Sequence, residues 1–117
     1  MLYPIEKDLR ILQLNKLPLN ANIYPLFNLF MSVIFSCSSD NEVNVTSLRI
    51  PGYKGAILKA YVIEPKENTG ELPCLVYFHG GAFMLKASGS HYKIAKEYAK
   101  KLHCKVVYVD YRLAPKH

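Results

Sequence analysis

The chain has 117 residues, of which 50% are hydrophobic and 21% charged, and its 15 basic and 9 acidic side chains give a net charge of +6. The apolar half excludes a disordered tail, because enough side chains are present to form a core. The length allows one small domain, which must close on itself to bury enough surface. The basic side chains are scattered rather than set in a stripe with interleaved aromatic rings. This favours a solvated surface over nucleic acid binding, and we expect no nucleic acid partner.

The three cysteines, Cys37, Cys74 and Cys104, are far apart and form no C-x-x-C pair. Two of them lie in apolar, strand-like runs, so we expect buried free thiols rather than a disulfide framework or a metal site. Free thiols favour a reducing compartment, and we expect a cytoplasmic protein. Acidic residues near the start do not fit a secretory signal, and no apolar stretch is long enough to span a bilayer.

Residues 1–42 predict a helical segment. Within it, residues 5–14 fit a short amphipathic helix, and residues 23–37 are the most apolar stretch of the chain. Pro25 suits the first turn of a helix there, on which apolar side chains cover all but one narrow stripe. We expect this helix to be packed against the protein. A membrane-surface anchor is the alternative, disfavoured because the polar stripe lacks lysine and arginine. The stripe consists of Asn28, Ser32 and Ser36.

Residues 43–117 predict the core of the domain, and its first part is a β-hairpin. Residues 43–50 and 56–63 both fit strands. A turn containing proline and two glycines joins them, which indicates an antiparallel pair.

A β-loop-α-β unit follows the hairpin. Residues 74–78 and 104–110 are short apolar runs, typical of strands buried on both faces, and residues 91–102 fit a helix between them. Such a unit implies two parallel strands. Ser90 is placed to cap the helix. The predicted inner face of the helix consists of Ile94, Ala95, Tyr98, Ala99 and Leu102.

Two adjacent glycines, Gly80 and Gly81, follow the first strand of this unit. Glycines there let the backbone approach a ligand closely, and free N–H groups stabilise either a phosphate or the oxyanion of an acyl-transfer intermediate. The chain has neither G-x-G-x-x-G nor G-x-x-x-x-G-K-[ST], which disfavours phosphate. A tight turn without chemistry is the remaining alternative.

Residues 77–83 (YFHGGAF) and 109–115 (VDYRLAP) together closely resemble the hormone-sensitive-lipase-like branch of the α/β-hydrolases, which are carboxylesterases and lipases. The resemblance extends over residues 43–117. It implies an α/β fold class: the N-terminal part of an α/β-hydrolase, with N-terminal cap helices, a β-hairpin and a β-loop-α-β parallel unit in an incomplete sheet. Residues 1–42 would then be a helical, cap-like segment.

The resemblance also implies roles for four residues. The backbone N–H groups of Gly81 and Ala82 would form an oxyanion hole, Gly80 would permit the turn, and His79 would brace the loop through its side chain. The substrate would be a small acyl ester, with no cofactor and no metal ion. Ala82 departs from the third glycine that many members carry at its position.

Three residues at and beyond the end of the second strand are not assigned to the catalytic chemistry. Asp110 and Arg112 are interpreted as a structural pair beneath the site rather than as a triad acid and a substrate clamp. Lys116 stands where the family usually has glutamate, so any hydrogen bonding by that acid is missing.

A serine nucleophile in G-x-S-x-G is missing: none of the seven serines of the sequence has this context. We therefore expect a carboxylic-ester hydrolase by family whose 117 residues, lacking nucleophile, acid and base, are inactive alone. The alternative is a non-catalytic remnant that binds an acyl ligand or a partner strand. Without a further strand, residues 74–78 would be an exposed edge, through which we expect the chain to form an oligomer.

Overall fold

The computed structural model describes residues 23–68 and 70–114. The predicted helix at residues 5–14, and Lys116, lie outside them. The elements in chain order are helix α1 (Tyr24–Ile34), strands β1 (Val43–Pro51), β2 (Ile57–Pro65) and β3 (Cys74–Phe78), helix α2 (Gly89–Lys101) and strand β4 (Lys105–Asp110).

The four strands form one sheet in the order β1-β2-β4-β3. Strands β1 and β2 are antiparallel neighbours, which confirms the predicted hairpin. Strands β3 and β4 are parallel, as the β-loop-α-β pattern predicts, and β2 pairs with β4 in the antiparallel sense. Among the described strands, β3 therefore lies at an edge of the sheet.

Helix α2 covers one face of the sheet. Its contact surface is formed by Tyr92, Ala95 and Ala99, and the two alanines are fully buried because their small side chains let the helix approach the strands closely. The predicted inner face is wrong in part, since three members of it are exposed: Ile94, Tyr98 and Leu102.

The helix begins two residues earlier than its apolar pattern indicates, and its N-cap is Ser88 rather than Ser90. Ser88 has extended backbone angles, whereas Ser90 already lies inside the helix. The ring Nδ1 of His91 accepts the N–H of Ser88 at 3.1 Å, so a side chain of the first turn caps the chain entry.

Strand β3 is buried on one face only, so the prediction of two buried faces is wrong. Leu75 and Tyr77 pack against the core, whereas Val76 and Phe78 are exposed. Cys74 shares the exposed face, while Cys37 and Cys104 are buried, and all three cysteines are free. The alternation of strand side chains decides this outcome, because α2 covers a single face of the sheet.

Helix α1 forms where the sequence predicts it, but its expected packing is wrong. Two residues of α1 face the rest of the protein. Tyr24 is buried, and Asn28, a member of the polar stripe, donates a hydrogen bond to the carbonyl of Met84. No helix within the described ranges has the length and apolar character needed to cross a membrane. The outward surface of α1 is apolar, and its exposed side chains are Leu26, Leu29, Phe30, Val33 and Ile34.

Candidate active site

The parallel strands β3 and β4 bring their carboxyl ends to the same edge of the sheet. Groups at such ends form the functional sites of α/β sheets. The loop of residues 79–86 leaves β3 there, residues 111–113 leave β4, and a pocket of about 690 Å³ is lined by both segments. This pocket contains every predicted site residue: His79, Gly80, Gly81 and Ala82.

The loop has three consecutive residues in the left-handed backbone region: Gly81 at φ +132°, Ala82 at +52° and Phe83 at +58°. Left-handed angles strain residues that carry a Cβ, and such strain collects at functional sites. A Cβ on Gly81 would lie 2.6 Å from the carbonyl oxygen of Leu85. On Gly80 the nearest atom would be at an ordinary 3.7 Å. The turn therefore requires glycine at position 81, not at position 80.

The hydrogen bonds of this loop leave several of its backbone N–H groups without an acceptor among the described residues. The carbonyl of Gly81 accepts the N–H groups of Met84 and Leu85 at 3.0 and 2.9 Å, which closes a tight turn. The N–H groups of Gly81 and Ala82 themselves have no hydrogen-bond acceptor within residues 23–68 and 70–114. Two adjacent backbone donors are thus available on a loop that lines the pocket.

His79 lies beneath the loop and is 4% exposed. Its ring Nδ1 is 2.7 Å from the carbonyl oxygen of Gly80, and because a carbonyl only accepts, Nδ1 carries the proton. The other ring nitrogen, Nε2, is buried and has no partner in the described part of the chain. The ring stacks on Tyr111 with centroids 4.4 Å apart, and on Tyr108 at 5.8 Å. The side chain is thereby held rigidly, with one nitrogen bound to the loop backbone.

Sequence reasoning missed two residues that bind this region. Tyr111 donates its hydroxyl to the carbonyl of His79 at 2.6 Å. Asn28, on α1, donates to the carbonyl of Met84 at 2.7 Å and accepts the N–H of Lys86 at 2.8 Å. The only pattern that could have indicated Asn28 is its position as an amide in an otherwise apolar helix.

The predicted pairing of Asp110 with Arg112 is wrong, because the two residues form no ion pair with each other. Asp110 pairs instead with Lys86 at 3.4 Å. Arg112 is exposed and lines both the pocket above and a second pocket, of about 520 Å³, between α1 and the end of β4. Among the described residues, it is the one lysine, arginine, aspartate or glutamate that lines the first pocket.

His91 lies close to the far end of the loop. Its pKa is lowered from the usual 6.5, first by burial and then by the charge of His79. The neutral ring suits its hydrogen bonds, since Nδ1 faces both the N–H and the hydroxyl of Ser88. No cluster of three or more histidine, cysteine, aspartate or glutamate side chains that could hold a metal ion occurs among the described residues.

A sequence profile for the alpha/beta hydrolase fold matches residues 75–117. The whole described architecture is similar to an esterase of Pyrobaculum calidifontis, with a TM-score of 0.69 at 30% identity over 98% of this chain and 37% of that chain. Residues 75–117 therefore match the α/β-hydrolase family, and the described residues have the N-terminal part of its fold. The fold class predicted from the sequence is thus confirmed, and the matched segment includes the loop of residues 79–86.

The curated relatives that this chain matches include esterases of the hormone-sensitive-lipase-like branch. It is 36% identical to Esterase LipI of Mycobacterium tuberculosis over 77 residues, which are 65% of this chain and 24% of that protein. It is 40% identical to 2-hydroxyisoflavanone dehydratase of Glycyrrhiza echinata over 82 residues, which are 67% of this chain and 25% of that protein. The chain spans about a quarter of the length of these curated relatives.

Proposed function

We infer that this chain supplies the oxyanion-binding part of a carboxylic-ester hydrolase. The proposal depends on the N–H groups of Gly81 and Ala82, which have no acceptor in the described part of the chain and lie on a strained loop at the carboxyl end of β3. When a nucleophile attacks an ester carbonyl, negative charge develops on the carbonyl oxygen. Preorganised backbone donors stabilise that charge, and each is worth about 10²- to 10³-fold in rate.

The pocket around the loop suits an acyl group. Its walls are largely apolar, with Leu58, Phe78 and Phe83 among the lining side chains. An ester carbonyl held at the N–H groups would place an apolar acyl or alcohol part against these walls. The pocket volume of about 690 Å³ lies in the range of small-molecule sites.

The remaining chemistry requires groups that these 117 residues do not contain. In serine acyl transfer a serine attacks the carbonyl and a histidine moves protons. No serine of this sequence has the G-x-S-x-G context, and His79 has one nitrogen bound to the backbone and the other enclosed. In this proposal His79 supports the loop, Gly81 and Ala82 donate to the oxyanion, Gly80 lines the pocket without being required by the turn, and the chain alone does not hydrolyse esters.

Direct observation of the two amides tests the proposal. The isotope-labelled 117-residue protein is titrated with the ethyl butylphosphonate monoanion, a tetrahedral mimic of the charged intermediate. We expect the largest downfield amide shifts at Gly81 and Ala82, and a weaker response to the neutral ester ethyl butyrate. A matched control is Gly70→Ala, where a Cβ meets no atom within 4 Å and binding should be unchanged. If the phosphonate leaves the amide resonances of Gly81 and Ala82 unchanged, the proposal is contradicted.

The second candidate is a non-catalytic protein that binds an acyl ligand in the same pocket, or a partner strand. It is favoured by the missing serine motif and by the exposed edge of β3. Fluorophosphonate labelling of the protein isolated from its source separates the two. A labelled serine supports the hydrolase, whereas absence of labelling together with retained acyl-ligand affinity supports the binding protein.

A further inference from the structure

Asn28 links α1 to the loop of residues 79–86 through both ends of its side-chain amide. The Nδ2 group donates to the carbonyl of Met84 at 2.7 Å, and Oδ1 accepts the N–H of Lys86 at 2.8 Å. These partners are 56 and 58 positions away along the chain, so the contact is purely tertiary. Both lie on the exit side of the turn that displays Gly81 and Ala82.

The turn itself has few internal restraints. It is closed by two hydrogen bonds to the carbonyl of Gly81, from the N–H groups of Met84 and Leu85. Met84 is therefore held from both sides: its N–H within the turn, its carbonyl by Asn28. The left-handed angles of Ala82 and Phe83 persist only when surrounding contacts impose them. Asn28 supplies such a contact directly after these residues.

The neighbouring polar residue of α1 does not share this role. The hydroxyl of Ser32 donates to the carbonyl of Leu29 within the same helix and is exposed. Asn28 is thus the polar side chain of α1 with observed bonds to the loop. An amide fits the position because one end must donate and the other accept, which neither a carboxylate nor a hydroxyl does in the same geometry.

We propose that Asn28 is a positioning residue, which holds the backbone of the oxyanion loop in its binding geometry and couples that geometry to the docking of α1. That the positioned loop binds an oxyanion rests on the proposed function. That Asn28 fixes the backbone of this loop does not depend on it. Because coupling between two sites is reciprocal, an anion bound at Gly81 and Ala82 must in turn strengthen the docking of α1.

Three variants test the inference: Asn28→Ala removes both bonds, Asn28→Asp keeps the acceptor but loses the donor, and Ser32→Ala is the matched control. In the free protein we expect both Asn28 variants to move the amide resonances of Gly81 and Ala82, and Ser32→Ala to leave them in place. The Asp variant is nearly isosteric, which keeps the test available if the Ala variant does not fold. Unchanged amide resonances in the folded Asn28 variants overturn the inference, whether or not any anion binds.

Binding of the ethyl butylphosphonate monoanion provides the second measurement. Loss of two hydrogen bonds that hold the loop should weaken phosphonate binding about tenfold. In the wild-type protein, saturation with the phosphonate should slow hydrogen exchange of the α1 amides, and it should not do so in Asn28→Ala. If the wild type binds the phosphonate at Gly81 and Ala82 while Asn28→Ala binds equally well, the proposed function stands and the positioning role fails. If the wild type shows no response at those amides, the proposed function fails instead.

Discussion

The hydroxyl of Tyr111 donates a 2.6 Å hydrogen bond to the main-chain carbonyl of His79, and the two rings stack with centroids 4.4 Å apart. The bond joins the residue after β3 to the residue after β4, where both strands end at the same edge of the sheet. Burial, and after it the charge of Asp110, raises the pKa of Tyr111 above 10, so the hydroxyl remains a donor at neutral pH. Tyr111 therefore explains the D-Y-R segment better than a pairing of Asp110 with Arg112.

Tyr111→Phe removes this bond and keeps the ring stack. We expect the free energy of unfolding to fall by about 1 kcal/mol, and by more if no water reaches the freed carbonyl of His79. Chemical denaturation measures the change. Tyr53→Phe is the control, because Tyr53 is 73% exposed and its hydroxyl has no hydrogen bond within the described ranges. Equal losses in both variants would show that the bond to His79 contributes nothing specific.

The two glycines of the H-G-G-A loop should differ sharply in their tolerance of a methyl group. Gly81→Ala combines a left-handed φ of +132° with a Cβ at 2.6 Å from a backbone oxygen, and should cost about 2 kcal/mol or more. Gly80→Ala meets only an ordinary contact at 3.7 Å, and its cost should stay within about 0.5 kcal/mol. Urea denaturation of both variants gives the comparison. If Gly80→Ala is as unstable as Gly81→Ala, the conclusion that the turn requires glycine only at position 81 is wrong.

Stability should fall as the pH drops below about 6.5, because of His91. Its pKa is lower in the folded protein than the usual 6.5, chiefly through burial, so the unfolded chain binds the proton more tightly. The stability contribution is therefore complete above pH 6.5 and is lost as the pH falls toward the folded pKa. Asp40 and Glu97, whose pKa values are lowered from 3.8 and 4.5 mainly by hydrogen bonds from lysines, lose their contributions only in a more acid range.

His91→Gln isolates this effect. Glutamine at the third helical position keeps an acceptor for the N–H of Ser88 but does not titrate. Unfolding free energies at about pH 7.5 and about pH 5.5 should differ more in the wild type than in His91→Gln. The same pH difference in both proteins would assign the loss to other groups.

The exposed edge of β3 should cause self-association of the 117-residue protein. Its outer face presents Val76 and Phe78, which are 53% and 63% exposed, and β3 has a neighbour on one side only among the described strands. Lysine on an edge strand opposes pairing with another chain. Val76→Lys should therefore lower the weight-average mass seen in sedimentation. Ser47→Lys, on β1 at the opposite edge, should not do so, and an equal effect of the two variants would rule out β3 as the interface.

The sequence alone determined the local elements of this chain and its resemblance to the α/β-hydrolases. All four strands, helices α1 and α2, the hairpin and the parallel pair follow from apolar runs, side-chain periodicity and turn residues, which act over a few positions. The H-G-G-A loop and the D-Y-R segment indicated an α/β-hydrolase because the resemblance depends on residue identity, not on contacts.

Only the tertiary structure decided which groups hold the loop and which faces are covered. Asn28 reaches the loop across 56 and 58 positions and Tyr111 reaches His79 across 32, and such bonds depend on how separate elements dock. For the same reason β3 proved open on one face although its composition is that of a buried strand. An apolar pattern indicates that a side chain favours burial. Whether it is buried depends on which helices and strands pack against it.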